Sequence, residues 1–320
     1  MSDYVIETWE LTKQYNGKAG CKNITLQVPR GSVFGFLGQN GAGKSTFVRT
    51  MLGLLHPTDG KAVMLGQPIG SVESRKKVGY LPELFRYPDW LTGQQLLEHH
   101  AELCGLTHRE SKSVIKNVVE LVGMAGRERE RIRGYSKGMQ QRIGIACALL
   151  SDPELIFLDE PTSALDPIGR KEVRELIARL RDQGKTVFLN SHLLSEMESV
   201  CNYVGIIHRS ELVVQGDWRK LSTVQPQIEL TVDKDSEGFQ NALPSFVTES
   251  RLVRQEENRD TWLMTLDQDN RVPTLLQQLI VSGAGVHEVV RKQQSLEDVF
   301  LYWVQRKEGE RHVADHQNHV

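Results

Sequence analysis

The chain has 320 residues, of which 39% are hydrophobic and 25% charged, with a formal net charge of -2. That length suits one large domain with a smaller one, and so small a charge excludes the broad basic field that holds nucleic acid or anionic lipid. The four cysteines, Cys21, Cys104, Cys147 and Cys201, form no close pair, which speaks against a zinc site or a disulfide framework and fits a reducing cytosol.

The opening segment, MSDYVIETWE, carries acidic residues early and no basic flank with an apolar stretch, so it does not read as a signal peptide. No apolar run in the chain approaches the roughly 18 to 20 residues needed to span a bilayer. Residues Ser32 to Leu37 read as a short buried strand that runs directly into GQNGAGKST, after which Phe47, Val48, Met51, Leu52 and Leu55 recur on one helical face. From about 84 to 150 the pattern turns helical, with Val114, Ile115, Val118, Val119 and Val122 forming one apolar face. Leu155 to Leu158 and Thr186 to Leu189 read as strands flanking a helix that carries Val173, Leu176, Ile177 and Leu180. Strands alternating with helices in this way predict a parallel sheet with crossover helices.

Around residue 224 the register changes. Ile228, Leu230 and Val232 alternate, as do Trp262, Met264 and Leu266, and Leu275, Leu276, Leu279 and Ile280 follow at helical spacing. A last helix carries Leu296, Val299, Phe300 and Trp303 on one side before a polar end without core pattern. These shifts predict a large domain over 1–223, with its helical insertion at about 84–150. A small α/β accessory domain over 224–306 and a polar tail over 307–320 complete the organisation.

The run Gly38 to Ser45 satisfies G-x-x-x-x-G-K-[ST], with the preceding strand and following helix that this motif requires. Small residues through Gly38, Asn40, Gly41, Ala42 and Gly43 let backbone N–H groups turn inward around phosphate oxygens, and the helix N-terminus adds a dipole favourable to an anion. Lys44 is placed to reach the β and γ phosphates, Ser45 to offer a hydroxyl to Mg²⁺, and Thr46 to meet a neighbouring phosphate oxygen. The spacing does not fit the GxGxxG of dinucleotide-binding folds. Downstream, Asp159 and Glu160 stand at the exposed end of an apolar strand, where doubly wound sheets bind their ligands. Asp159 suits the metal and Glu160 suits the attacking water, which it can polarise as a general base.

With these motifs in this order the chain resembles the ABC transporter ATPase family. Tyr135-Ser136-Lys137-Gly138-Met139 stands where the family has its LSGGQ signature, Ser163-Ala164-Leu165-Asp166 matches its D-loop, and His192 matches its switch histidine. Tyr15 resembles the aromatic on which the adenine stacks, although an aromatic at a strand end is also ordinary core. Glu83, in VGYLPE, replaces the family's Q-loop glutamine, and so its part in hydrolysis or in coupling stays open. The segments VGYLPE, YSKGMQQR and SLEDVF resemble the exporter branch whose permeases handle drugs, ions, antibiotics or polysaccharides.

The fold this implies is a P-loop NTPase parallel-sheet core with a helical ABC subdomain and a small C-terminal α/β domain. The implied activity is ATP hydrolysis with ATP and Mg²⁺. Two copies would close as a sandwich in which Lys44, Ser45, Asp159, Glu160 and His192 of one face Ser136 and Gly138 of the other, with Asp166 beside the shared nucleotide. The implied partners are a second copy of the chain and a separate integral membrane permease, with no nucleic acid. The implied location is cytoplasmic, on the inner face of the cell membrane. Phe85, Tyr87, Pro88 and Trp90 form an aromatic cluster that is either the permease-facing surface or core of the insertion. A soluble ATPase of this type acting on a non-membrane macromolecule is the other reading.

Overall fold

The computed structural model describes residues 2–163, 165–221, 226–234, 243–292 and 295–317. They form two compact units. One comprises Met1–Leu221 with Leu296–Val320, and the other is Ser222–Ser295.

The larger unit is built on a six-stranded sheet in the order Glu211–Asp217, Tyr203–His208, Val33–Leu37, Thr186–Ser191, Leu155–Asp159 and Val78–Leu81. Its neighbours are parallel except for the edge hairpin of Tyr203–His208 and Glu211–Asp217. The three central strands are buried along their whole length, which their continuous apolar runs require when both faces are covered. On one face, Phe34, Phe36, Phe47, Phe157 and Phe188 join one cluster, with ring centroids 4.9 to 6.1 Å apart.

A second sheet is antiparallel, in the order Lys18–Ile24, Tyr4–Tyr15, Asp59–Met64 and Gln67–Pro68, with Gln27–Pro29 also paired to Tyr4–Tyr15. The sequence pattern does not announce it. Register shifts along Tyr4–Tyr15 and a left-handed Glu10 (φ 50°) break the alternation by which a half-buried strand is recognised.

The helical region contains Gly93–Leu103, His108–Leu121 and Lys137–Leu149. The first two begin with capping boxes, Thr92 with Gln95 and Thr107 with Glu110, so each starts where its orphan N–H groups are satisfied. Ile115, Val118, Val119 and Val122 are buried against the main core.

The boundary of the accessory domain needs correction. The expected junction at 223–224 lies outside the described residues. Its C-terminal end, expected at 306, lies instead at Ser295. Leu296, Val299, Phe300 and Val304 are buried in the core of the larger unit, so the last helix belongs to that unit. An amphipathic stripe shows that a helix buries one face, but not which core receives it. The polar tail expected from 307 also differs, because the helix runs over Leu296–Gln317. Its residues are good helix formers carried on from a buried first half, and Arg306 pairs with Glu310 at i,i+4 (3.4 Å). Residues 318–320 lie outside the described residues.

The smaller unit is a four-stranded antiparallel sheet in the order Val247–Gln255, Arg259–Leu266, Gln227–Asp233 and Val286–Lys292, with the helix Val272–Val281. Its core is Ile228, Leu230, Val232, Met264, Leu266, Leu275 and Leu279. Ile280, assigned to the apolar face by its spacing, is 62% exposed.

Candidate functional site

Two clefts in the larger unit gather the motif residues. The first, of about 450 Å³, lies at the C-terminal ends of the central strands. Strand Val33–Leu37 ends there at Gly38, and the chain turns through 38–43 into helix Lys44–Met51. Two glycines make that turn possible. A Cβ on Gly43, at φ 107°, would stand 2.0 Å from the Gly20 carbonyl oxygen, and a Cβ on Gly38 would stand 2.5 Å from that of Ile207. No other residue lets the loop lie this close to both neighbouring strands.

Asn40, Gly41, Gly43, Lys44, Ser45 and Thr46 line the cleft. Gly38 and Ala42 support it from behind. Ala42 is buried, and its carbonyl accepts the Ser210 N–H at 3.1 Å. Lys44 is also buried, and its Nζ donates to the carbonyls of Gly38 (2.7 Å) and Gln39 (3.2 Å). Burial lowers the pKa of its ammonium, while the charges of Glu160, Asp159 and Glu83 pull it back up.

The facing wall comes from two adjacent parallel strands whose register sets Asp159 beside Asn190. Asn190 Nδ2 donates to Asp159 Oδ1 at 2.5 Å. Burial pushes the Asp159 carboxyl up to about 6, with Glu83 and Glu160 adding to the rise and the Asn190 bond opposing it.

Glu160 follows in a left-handed conformation (φ 52°), uncommon for a residue with a side chain. Its own N–H donates to Asn190 O at 2.8 Å, and the Ser163 hydroxyl donates to its carbonyl at 3.1 Å, so the turn is held on both sides. Its carboxylate accepts from His192 N (3.0 Å), His192 Nδ1 (2.8 Å) and Ser191 Oγ (3.2 Å). A carboxylate can only accept, so the His192 Nδ1 carries the proton. The His192 side chain is 46% exposed, against 8% for Glu160, and both line the cleft.

Glu83 and Tyr15 complete the rim. Tyr15 is 43% exposed with Lys13 Nζ 5.4 Å from its ring centroid, so it is a surface ring and not a core aromatic. Gly20 and Asn190 also line the cleft, and the motif reading omitted both. Asn190, a polar residue closing an apolar strand two positions before His192, could have been found from that placement. Gly20 carries no such signal.

The lining fits a magnesium nucleotide. Glu83, Asp159 and Glu160 bring three carboxylates around the one lysine, so a divalent cation would offset a surplus of negative charge. The Ser45 hydroxyl and Asp159 carboxylate are the hard oxygen donors that Mg²⁺ prefers. Asn190 Oδ1, on another residue lining the cleft, is buried with no hydrogen-bond partner among the described residues.

The second cleft, of about 510 Å³, holds Ser136, Gly138 and Asp166, none of which lines the first. Two helix N-termini meet there. Ser136 caps Lys137–Leu149 by accepting Met139 N at 3.2 Å, and Asp166 caps Pro167–Asp182 by accepting Gly169 N at 2.7 Å. A Cβ on Gly138 would meet only ordinary contacts at 3.7 Å or more, so nothing within this chain demands a glycine there. Ala164 of the D-loop segment lies outside the described residues.

The aromatic cluster after Glu83 divides. Phe85 and Tyr87 pack against the core with centroids 5.2 Å apart, whereas Trp90 is 69% exposed and Leu84, next to Glu83, is 87% exposed.

Comparison with known proteins gives consistent matches. The family described as ABC transporter matches residues 21–163. An uncharacterised ABC transporter ATP-binding protein of Nostoc is 36% identical over 325 residues, covering 99% of this chain and 94% of that protein. The bacitracin transport ATP-binding protein BcrA of Enterococcus faecalis is 42% identical over 216 residues, covering 66% of this chain and 68% of its own. Among solved structures, an ATP-binding subunit of an ABC transporter superimposes with a TM-score of 0.62 at 27% identity, covering 68% of this chain and 91% of that one.

Proposed function

The chain belongs to the family of ABC transporter ATP-binding proteins, and we propose that two copies of it close over two Mg-ATP molecules to drive a separate membrane permease in export. The observation that carries this reading is the split between its two clefts. Glu160, joined to His192, stands with Lys44 in one, while Ser136 and Gly138 open from the other. A nucleotide bound at Lys44 is contacted on one side only until a second chain presents its Ser136 cleft. Among the described residues no helix is long and apolar enough to cross a membrane, and in this reading the membrane path belongs to a separate permease chain.

Within each site the 38–43 loop and Lys44 hold the phosphates, and Tyr15 stacks on the adenine. Ser45 and Asp159 would hold Mg²⁺, which would supply positive charge to offset the negative charge that develops on the phosphates. Glu160 orients and deprotonates the attacking water, with His192 holding its carboxylate in place. Leu84 and Trp90 present an exposed apolar surface for the permease. The match to a bacitracin transport protein supports an antibiotic-like cargo.

Glu160→Gln keeps the side-chain size and loses the charge that polarises water, so it binds Mg-ATP as the wild type does and hydrolyses it about 10² to 10⁴ times more slowly. The ATP-closed dimer then accumulates and elutes as such in gel filtration. A variant that retains full turnover, or stays monomeric in Mg-ATP, contradicts the proposal.

A further inference from the structure

The C-terminal helix Leu296–Gln317 reaches the nucleotide cleft through one tight turn. Strands Tyr203–His208 and Glu211–Asp217 are joined by Arg209 and Ser210, both at positive φ (47° and 69°). A two-residue hairpin turn of this kind is normally built from asparagine, aspartate or glycine. Arg-Ser is a poor choice on local grounds, so its surroundings must hold it.

Those surroundings are specific. Ser210 N donates to Ala42 O at 3.1 Å, behind the phosphate loop. Ser210 O accepts Lys22 N at 2.7 Å, and Ser210 Oγ donates to Ala19 O at 2.9 Å, on either side of the Gly20 that abuts Gly43. From the other direction, Glu308 Oε1 accepts both His208 Nε2 (3.1 Å) and Arg209 Nη2 (3.0 Å). The His208 side chain is 7% exposed and Arg209 is 63% exposed. The half-buried bond to His208 is therefore the firmer one, since Glu308 itself is 37% exposed, and the arginine pair is screened by solvent.

We propose that Glu308 is a positioning residue for nucleotide binding, fixing through His208 and Arg209 the turn that supports the phosphate loop at Ala42. This rests on the reading that ATP binds in the Lys44 cleft. The last helix then does more than fill the core with Leu296, Val299, Phe300 and Val304, because its distal half holds the loop in its binding shape.

The test measures affinity for a fluorescent ATP analogue, KM and kcat for ATP, and Tm in the full chain. Glu308→Ala weakens binding and raises KM about three- to tenfold, the scale of one lost hydrogen bond, with kcat within about twofold of the wild type. Glu308→Gln, whose amide oxygen can accept both bonds, restores most of the affinity. Glu308→Asp falls short by one methylene and behaves like Ala; it takes the place of Glu308→Ala if that variant does not fold. Trp303→Phe, which removes the Nε1 bond to Leu221 O (3.1 Å) on the same helix, lowers Tm and leaves affinity unchanged. The proposal is overturned if Glu308→Ala lowers Tm without moving affinity, or if Trp303→Phe shifts affinity as far. Failure of the wild-type chain to bind the analogue would instead overturn the nucleotide reading.

Discussion

The cleft at Lys44 and the cleft at Ser136 both lie at helix N-termini, but they are furnished differently. Around Lys44, a glycine loop, two strand ends and the rim residues Tyr15 and Glu83 converge. Around Ser136 there are two well-made caps and an open glycine; the carboxylates among the described lining residues are Asp166, which caps a helix, and Glu172, which pairs with Arg142. Under the proposed two-copy reading, the contrast separates binding from hydrolysis: one chain binds the nucleotide at Lys44, and a second copy brings its Ser136 cleft to close over it.

Substitutions matched between the clefts sharpen this most. Lys44→Ala removes the one fixed cation of the first cleft and weakens ATP binding about 10- to 100-fold, the worth of charge-assisted bonds to phosphate. It also takes hydrolysis to background even at saturating ATP, because the γ-phosphate loses that cation in the transition state. Ser136→Asp keeps a good helix cap but adds a negative charge towards the partner's phosphates. It leaves the affinity of the isolated chain unchanged and abolishes turnover. Equal losses of affinity in both variants, read by equilibrium binding, would erase the distinction.

A pH series gives a smaller effect confined to the first cleft. Asp159 holds its proton up to about 6 in the folded chain, against an ordinary 3.8. Because Mg²⁺ needs the ionised form, the Mg²⁺ concentration for half-maximal ATPase rises about tenfold between pH 7 and pH 5. The stability effect has the opposite sign. A raised carboxylate pKa means the folded state binds the proton more tightly, so the nucleotide-free chain gains stability as pH falls through about 6 towards 3.8. Asp159→Asn removes both dependences, and an unchanged Mg²⁺ requirement across this range would count against the metal assignment.

The smallest change is expected at Glu83. Its charge acts on Lys44 and Asp159, yet in the proposed mechanism Ser45 and Asp159 serve the metal and Glu160 serves the water. Glu83→Gln keeps the basal ATPase rate of the isolated subunit within about threefold, since an exposed charge facing water contributes little. It alters the stimulated rate in the complex with the permease. Collapse of the basal rate would make Glu83 hydrolytic.

Much of this was legible in the sequence, for identifiable reasons. The phosphate loop and the Asp159–Glu160 strand end combine a fixed spacing with buried apolar strands, and local chemistry dictates both. The antiparallel sheet around Tyr4–Tyr15 was hidden because bulges scramble its alternation. Gly20 was hidden because its importance lies in contacts with Gly43 and Thr46, distant in sequence. The last helix was assigned to the wrong unit because its stripe of Leu296, Val299 and Phe300 does not name the core that buries it. Local pattern thus found the elements, while their long-range pairing had to come from the structure.

The most direct test of the two-chain site is to mix two inactive chains. Lys44→Ala lacks a working first cleft and Ser136→Asp lacks a working second. Each purified variant alone is predicted to hydrolyse no ATP above background. Mixed in equal amounts, half of the dimers pair one of each and hold one complete site of two, so ATPase returns to about a quarter of the wild-type rate. A mixture as inactive as its components, or a Ser136→Asp chain that turns over ATP by itself, would contradict the account.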